Sequence, residues 1–201
     1  MDDFDQHCPF IPFARAILAE PELHPSVHHL QHQSGFNTNI ILYLLWLAKA
    51  RYGRLTKKQI QLAQSQILLW HQRVIAELKY THALVAEISD PVAINIKRAL
   101  QNEIMKAHVI EQKMLFETKL KVQVLRRSFR QQLVDAAISI MHYCELKNDP
   151  LFEEDQFAFL QLFCFVFNES DRLDIEKQIK KCFSQIGTIL SQPAQMMWEE
   201  F

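Results

Sequence analysis

The sequence predicts an all-α fold of seven or eight helices around a long antiparallel helical hairpin. Apolar residues recur at intervals of three and four along most of the chain, which is the period of one helix face. Prolines and side chains that cap helices stand where these periodic segments begin and end. The 201 residues are 49% apolar, which is enough to bury a full core, so intrinsic disorder is excluded.

Prolines and glycines punctuate the first quarter of the chain and predict three helices there. The first helix is expected over about residues 13–20 and the second over about 27–33. A third begins at Asn37 or Thr38, whose side chains can accept hydrogen bonds from a first helical turn, and ends at Gly53.

A capping box formed by Thr56 and Gln59 opens the long helix of the hairpin. Asp90 and Pro91 supply an N-cap and a first-turn proline for a second long helix, which begins at once. Two long helices joined by so short a connection must fold back on each other. We therefore expect paired antiparallel helices over residues 56 to about 118.

The rest of the chain predicts three more helical segments. The basic stretch 119–130 either continues the second hairpin helix or breaks near Ser128, and a helix follows over about 131–146. The phenylalanine-rich segment 157–167 alternates like a strand, but the sequence offers no second strand to pair with it, so we predict a helix. A last helix is expected from a Ser170 cap to about Ser191.

No repeat, low-complexity tract or flexible linker divides the chain. We therefore expect a single helical domain over residues 1–201. Residues 128–201 are the one segment that could form a separate C-terminal lobe.

Charge is balanced overall but unevenly distributed. The formal net charge is -1, so the overall charge does not indicate a nucleic-acid or membrane partner. Residues 97–130 nevertheless carry nine Lys or Arg against three acids, and residues 145–201 carry eleven acids against five bases. These two segments are expected to neutralise each other in the fold or across a self-association interface.

Several features predict a cytoplasmic protein. The 4 cysteines are far apart and form no Cys-x-x-Cys pair, as in reduced core residues. The N-terminus is acidic where a signal peptide would be basic. The longest apolar runs, 40–48 and 157–167, are shorter than the ~20 residues that a bilayer crossing needs, so no membrane span is expected.

One segment resembles the signature of a proteobacterial family of short all-helical proteins of unknown function. The segment reads Leu30-Gln31-x-x-Ser34-Gly35-x-Asn37-x-Asn39-Ile40-Ile41-Leu42-x-x-x-Trp46-Leu47. Later landmarks of the same pattern are Trp70, Val74, Glu103, Glu111-Gln112 and Leu115. The resemblance covers about residues 10–120, departs from the pattern at His108, and implies an all-helical cytoplasmic bacterial protein without an established activity.

Folding the hairpin at Asp90 predicts a polar cluster between its helices. Residues whose numbers sum to about 180 then face each other, and Glu103 is expected on the apolar seam. Glu and His side chains between facing helices are typical of metal sites in helical bundles. The candidate ligands are Glu103, His108, Glu111, Glu77 and His71. Alternatively, Glu103 bonds to polar neighbours in a mixed seam and no metal is held.

Two asparagines bracket the start of the most apolar helix. One of Asn37 and Asn39 is explained by helix capping. The other is expected to point its amide into the fold, where it holds a neighbouring helix end or touches a ligand.

The sequence favours a non-enzymatic interaction or regulatory module that binds a protein partner or itself. It contains no phosphate-binding glycine loop, no nucleophile elbow and no cysteine beside an activating histidine, and we expect no bound cofactor. Candidate partner-binding residues are Arg126, Arg127, Arg130 and Trp198. The alternatives are a metal or small-ligand protein built on the Glu and His cluster, and nucleic-acid binding through a basic helix 97–130, which we consider the weaker interpretation.

Overall fold

Helices form most of residues 8–184, the part of the chain that the computed structural model describes. Their bounds are α1 (Phe10–Leu18), α2 (His24–His28), α3 (Thr38–Lys49), α4 (Lys57–Trp70), α5 (Ala76–Ala86), α6 (Pro91–Glu117), α7 (Phe129–Lys147), α8 (Glu153–Val166) and α9 (Arg172–Phe183). Two π-helical turns, His29–Gln33 and His71–Ile75, extend α2 and join α4 to α5. Over these residues the chain therefore has eight helical rods and no strand, and the all-α prediction is confirmed.

Helix α3 lies at the centre of the core. Every residue from Thr38 to Ala48 is buried, which agrees with its almost unbroken apolar sequence. Helices α1, α6 and α7 pack around it. The ring of Trp46 lies 5.6 Å from Phe10 and 5.7 Å from Phe116, between centroids, and so joins α3 to α1 and α6.

One apolar cluster extends from Cys8 to Phe183. It includes Ile140 of α7 and Phe159 and Phe163 of α8, all fully buried. The phenylalanine-rich segment is thus a helix, as predicted: Phe159, Phe163 and Phe167, four residues apart, are buried together, whereas Phe157 and Phe165 are exposed.

The hairpin forms as predicted, with α6 antiparallel to the continuous rod of α4 and α5. Both parts of the Thr56 capping box are present. Asp90 Oδ1 accepts a hydrogen bond of 2.7 Å from the backbone N–H of Val92, which starts α6. Near its base the rod buries Ile60, Ala63 and Ile67, whereas α5 buries no residue.

The far half of the hairpin, residues 76–103, projects beyond the core, and we call it the arm. Within it only Ala93 is buried. Helix α5 packs against α6 and the adjoining π turn. The arm is therefore held by contact between its own two helices.

Several predicted boundaries are wrong. The first helix begins at Phe10, since proline is tolerated in a first helical turn, and the last described helix is capped by Asp171 rather than Ser170. Helix α6 ends at Glu117, so residues 97–130 do not form one basic helix. The Ser191 end of the last helix lies outside the described residues.

The connection from α6 to α7 runs beside the connection from α3 to α4. The N–H of Leu125 donates to the carbonyl of Arg51 over 2.8 Å, and Ser128 then caps α7 in a capping box with Gln131. The break near Ser128, one of the two predicted alternatives, therefore marks the start of a helix after an irregular segment.

Helix α3 ends at Lys49, not at Gly53, because Arg51 takes the left-handed position that glycine usually fills. Arg51 has φ 68°, the N–H of Tyr52 bonds the carbonyl of Leu47 over 2.8 Å, and the N–H of Arg51 bonds the carbonyl of Ala48 over 3.0 Å. These two bonds make a Schellman motif, which satisfies the last carbonyls of the helix.

No helix among residues 8–184 is both long enough and apolar enough to cross a membrane.

We expect Arg51→Gly to raise the free energy of unfolding by about 1 kcal/mol, because glycine adopts the left-handed conformation without the steric cost of a Cβ. Arg51→Ala is the matched control, since it removes the same side chain but keeps the Cβ. Urea denaturation measures both. Equal stability of the two variants would show that the backbone conformation costs nothing.

Candidate functional site

A polar cluster is buried where the start of α3, the π turn His71–Ile75 and the middle of α6 meet. Asn37 caps α3, and its Oδ1 accepts from the N–H of Ile40 over 3.2 Å. Its Nδ2 lies 3.3 Å from Oε1 of Glu111. The side chain of Asn37 thus both caps α3 and contacts α6.

Asn39 enters the fold, as predicted for the second asparagine. It is 2% exposed, and its Nδ2 donates to Oε2 of Glu111 over 2.6 Å. Its Oδ1 accepts from Nε2 of Gln112 over 2.9 Å, and its Nδ2 lies 3.1 Å from Nδ1 of His108. One amide therefore bonds three side chains of α6 and fixes α3 against it.

Glu111 is the centre of the cluster and is fully buried. Burial alone would raise the pKa of its carboxyl group, but His108, His71 and the amide of Asn39 together lower it to about 2. Glu111 is therefore ionised at neutral pH although no water reaches it. Such a charge is tolerated inside a protein only when donors surround it.

His71 supplies the closest basic group. Its Nδ1 lies 2.8 Å from Oε1 of Glu111, and because a carboxylate only accepts, Nδ1 carries the hydrogen. The 3.0 Å contact between Asn37 Nδ2 and the same Nδ1 is then not a hydrogen bond, since both atoms are donors. This tautomer leaves Nε2 of the half-buried His71 as a hydrogen-bond acceptor.

The π turn that begins at His71 changes the register between α4 and α5. It adds one residue to the rod between α4 and α5, which rotates the helix face that follows. At the preceding residue, Nε1 of Trp70 donates to the carbonyl of Ala107 over 3.0 Å and holds the rod against α6. The π turn and this bond together set the register of the hairpin base.

Of the five candidate metal ligands, the structure brings together His71, His108 and Glu111. Glu77 is exposed on α5, away from them. Glu103 is also exposed and bonds Lys106 on its own helix over 2.7 Å, so its predicted place on the seam is wrong. Ile104 occupies the seam instead, between Leu100 and Ala107. Among residues 8–184 no group of three or more His, Cys, Asp or Glu side chains is placed to hold a metal ion.

Sequence reasoning missed two features of the cluster. It treated the asparagines and Glu111-Gln112 as separate landmarks of the family pattern, and the pattern does not show that their side chains touch. It also missed Tyr143 of α7, whose hydroxyl oxygen accepts from the N–H of Asn37 over 3.0 Å. Nothing in the local sequence around Tyr143 signals this contact.

A second buried carboxylate, Asp155, also lies beside a histidine on a π turn. Nε2 of His29 lies 2.9 Å from its Oδ1, Ser34 Oγ donates to the same oxygen, and the N–H of Phe152 donates to Oδ2 over 2.9 Å. A Ser-His-Asp catalytic relay needs Ser and Asp on opposite ring nitrogens. Here both lie on the Nε2 side of His29, so this group ties α2 to α8 and is not a catalytic triad.

The candidate partner-binding residues lie apart from both clusters. Arg126 and Arg130 are exposed on and next to the connection between α6 and α7. Nε of Arg127 lies 2.8 Å from Oδ2 of Asp135. Trp198 lies outside the described residues.

Comparison with known proteins relates the chain to a protein family. A family described as a protein of unknown function, DUF2390, matches residues 11–118. That range contains every member of the Glu111 cluster except Tyr143. No curated protein and no solved structure matches the chain significantly.

We expect Glu111→Gln to lower the free energy of unfolding at pH 7 by about 3 kcal/mol, since a pKa lowered from 4.5 to about 2 is worth about 1.4 kcal/mol per unit. Because the folded-state pKa lies below the unfolded value, this stability is present above pH 4.5. The difference from wild type therefore shrinks as the pH falls from about 4.5 toward 2. Urea denaturation at several pH values measures it.

Glu103→Gln is the matched control, since it removes a carboxylate from the same helix that is exposed and ion-paired only to Lys106. We expect it to change stability by less than about 0.5 kcal/mol at any of these pH values. Equal losses in the two variants would contradict the structural role of Glu111.

Proposed function

The chain belongs to DUF2390, a family of proteins of unknown function, and we propose that it is a non-enzymatic interaction module that self-associates through its arm. The observation that carries this proposal is the exposed apolar surface of the arm. We also propose that it works in the bacterial cytoplasm, in keeping with the family resemblance and with four unpaired cysteines, which suit a reducing compartment.

Large apolar side chains line the arm without cover from the core. Tyr80, Leu84 and Ile88 recur every four residues on α5 and its end, and Val92 and Ile96 do so on α6. Residues four apart in a helix share a face, which applies to Tyr80 with Leu84 and to Val92 with Ile96, while Ile88 lies in the connection just past α5. Leu84 is 48% exposed and Val92 is 67% exposed, and full burial of such a side chain gains about 1.5–3 kcal/mol. A concentration of exposed apolar side chains on one element is typical of interaction sites.

A second copy of the arm is the occupant that best fits this surface. Two adjacent helices form half of a four-helix bundle, and a two-fold axis completes the bundle with the same residues from each chain. The two helices, about 10 Å apart and roughly 20 Å long, present a face on the order of 400 Å² in projection and more over the side chains. That size is about half the ~800 Å² per partner of a standard interface and is typical of a weak, reversible contact.

Charges on the arm favour an antiparallel pairing. Glu87 and Asp90 lie at the tip, and Lys97 and Arg98 follow about two helical turns nearer the base. When two arms pair antiparallel and overlap by about two helical turns at their tips, the acidic tip of one lies opposite the basic band of the other. This arrangement gives charge complementarity and sets the register.

We further propose that residues 1–201 act as one folding unit rather than as a body and a separate lobe 128–201. The continuity of the apolar cluster from Cys8 to Phe183 supports this organisation. The buried contacts of α7 with α3 would be lost if the two segments were separated.

We expect wild-type protein to dimerise reversibly, and the double variant Leu84→Lys, Ile88→Lys to weaken the dimer at least about 100-fold, since each change places a charge in the apolar interface. Analytical ultracentrifugation over a range of concentrations measures this. Leu173→Lys is the control, because Leu173 is a similarly exposed apolar residue on α9.

The antiparallel register has its own test. Glu87→Lys should weaken the dimer, and adding Lys97→Glu in the same chain should restore it, because the exchanged charges again lie opposite each other. A wild-type protein that stays monomeric up to about 100 μM would refute self-association.

A further inference from the structure

We propose that a cleft between the α3–α4 connection and the start of α7 binds the phosphate group of a small ligand. The cleft has a volume of about 450 Å³. It is lined by Arg54, Arg127, Ser128, Arg130, Gln131, Val134 and Asp135. Small-molecule sites in proteins have volumes of about 300–1,000 Å³, so this cleft is of a suitable size.

The fold brings the arginines together from two distant segments. The backbone bond from Leu125 to Arg51 aligns the two connections. Gly53 lies at their contact with φ +77°, and a Cβ on it would lie 2.9 Å from Cδ1 of Leu125 and 3.7 Å from Nη2 of Arg127. The close approach of the two segments therefore places Arg54 beside Arg127.

Asp135 is the single acidic residue in the lining. Its side chain is 8% exposed, and its Oδ2 lies 2.8 Å from Nε of Arg127. Burial raises the pKa of Asp135, while the charges of Arg127 and Arg54 lower it by less. Asp135 thus orients Arg127 and offsets one of the three guanidinium charges, which leaves the lining with a formal excess of two positive charges.

Phosphate is the anion that this charge and geometry fit best. The Nη groups of Arg127 are not the atoms in its ion pair with Asp135, and Arg54 and Arg130 are exposed. Guanidinium groups bind phosphate oxygens in pairs, and a phosphomonoester carries close to two negative charges at neutral pH. The backbone N–H of Ser128, at the start of α7, donates to Oε1 of Gln131. The arginine side chains, rather than the N-terminus of α7, would therefore bind the phosphate.

The lining favours a small ligand over a polynucleotide. None of the seven lining residues is aromatic, whereas proteins that bind single strands stack bases on aromatic side chains. Three arginines can contact one or two phosphate groups but do not form the long basic track that a nucleic-acid backbone needs.

Titration calorimetry with pyrophosphate at about 50 mM NaCl tests the proposal, with sulfate as the comparison anion. We expect wild-type protein to bind pyrophosphate, and to bind it more tightly than sulfate. The double variant Arg54→Gln, Arg130→Gln should lose at least about 10-fold in affinity. It keeps the pair of Arg127 with Asp135, so its thermal unfolding should match wild type.

Arg98→Gln is the matched control, because it removes an exposed arginine from the arm. It should bind pyrophosphate as wild type does. Equal pyrophosphate affinity in wild type and the cleft variant, or equal losses in the cleft variant and Arg98→Gln, would overturn the proposal. Binding of a 20-nucleotide single strand by a protein that does not bind pyrophosphate would also overturn it. The cleft lies off the arm, so failure of self-association leaves this test unaffected.

Discussion

The structure depends most on the charge of Glu111. An ionised carboxylate without water must receive its hydrogen bonds from the protein, and its donors come from two separate elements: Asn37 and Asn39 at the start of α3, and His71 on the π turn. Moving either element by one residue would remove part of this set of donors. Glu111 therefore fixes the register between the most buried helix and the base of the hairpin, where apolar packing alone would allow sliding.

Features that depend on neighbouring residues could be predicted from the sequence. The capping box at Thr56, the start of α6 at Asp90 and the antiparallel hairpin all follow from side chains within a few positions of each other. The end of α3 was predicted wrongly because Arg51 adopts the left-handed conformation, which is uncommon for arginine and is not indicated by the sequence. Glu103 was misplaced because its spacing fits the seam as well as that of Ile104, and only the packing decides between them.

The candidate site could be predicted only in part for the same reason. Folding the hairpin at Asp90 places His71 near His108 and Glu111, because facing residues of two antiparallel helices lie at equal distances along the chain from the turn. Counting along two rods says nothing about a third element, so Asn39 and Tyr143 could not be added to the cluster. The sequence likewise gives the net charge of residues 97–130 but does not show that the structure divides them between two regions. Arg98 lies on the arm, whereas Arg127 lines the cleft.

The base of the hairpin is packed against the core, whereas the arm is not covered by any other part of the described chain. The base of the hairpin is held by the core and by a carboxylate whose low pKa keeps it ionised across the physiological range. The arm buries little of its own surface, and contact with another molecule would shield apolar side chains such as Leu84 and Ile88 from water. A rigid base lowers the entropy cost of such contact, because the two helices of the arm are already aligned before a partner arrives. The buried charge and the exposed apolar surface are therefore parts of one arrangement, in which the first orients the second.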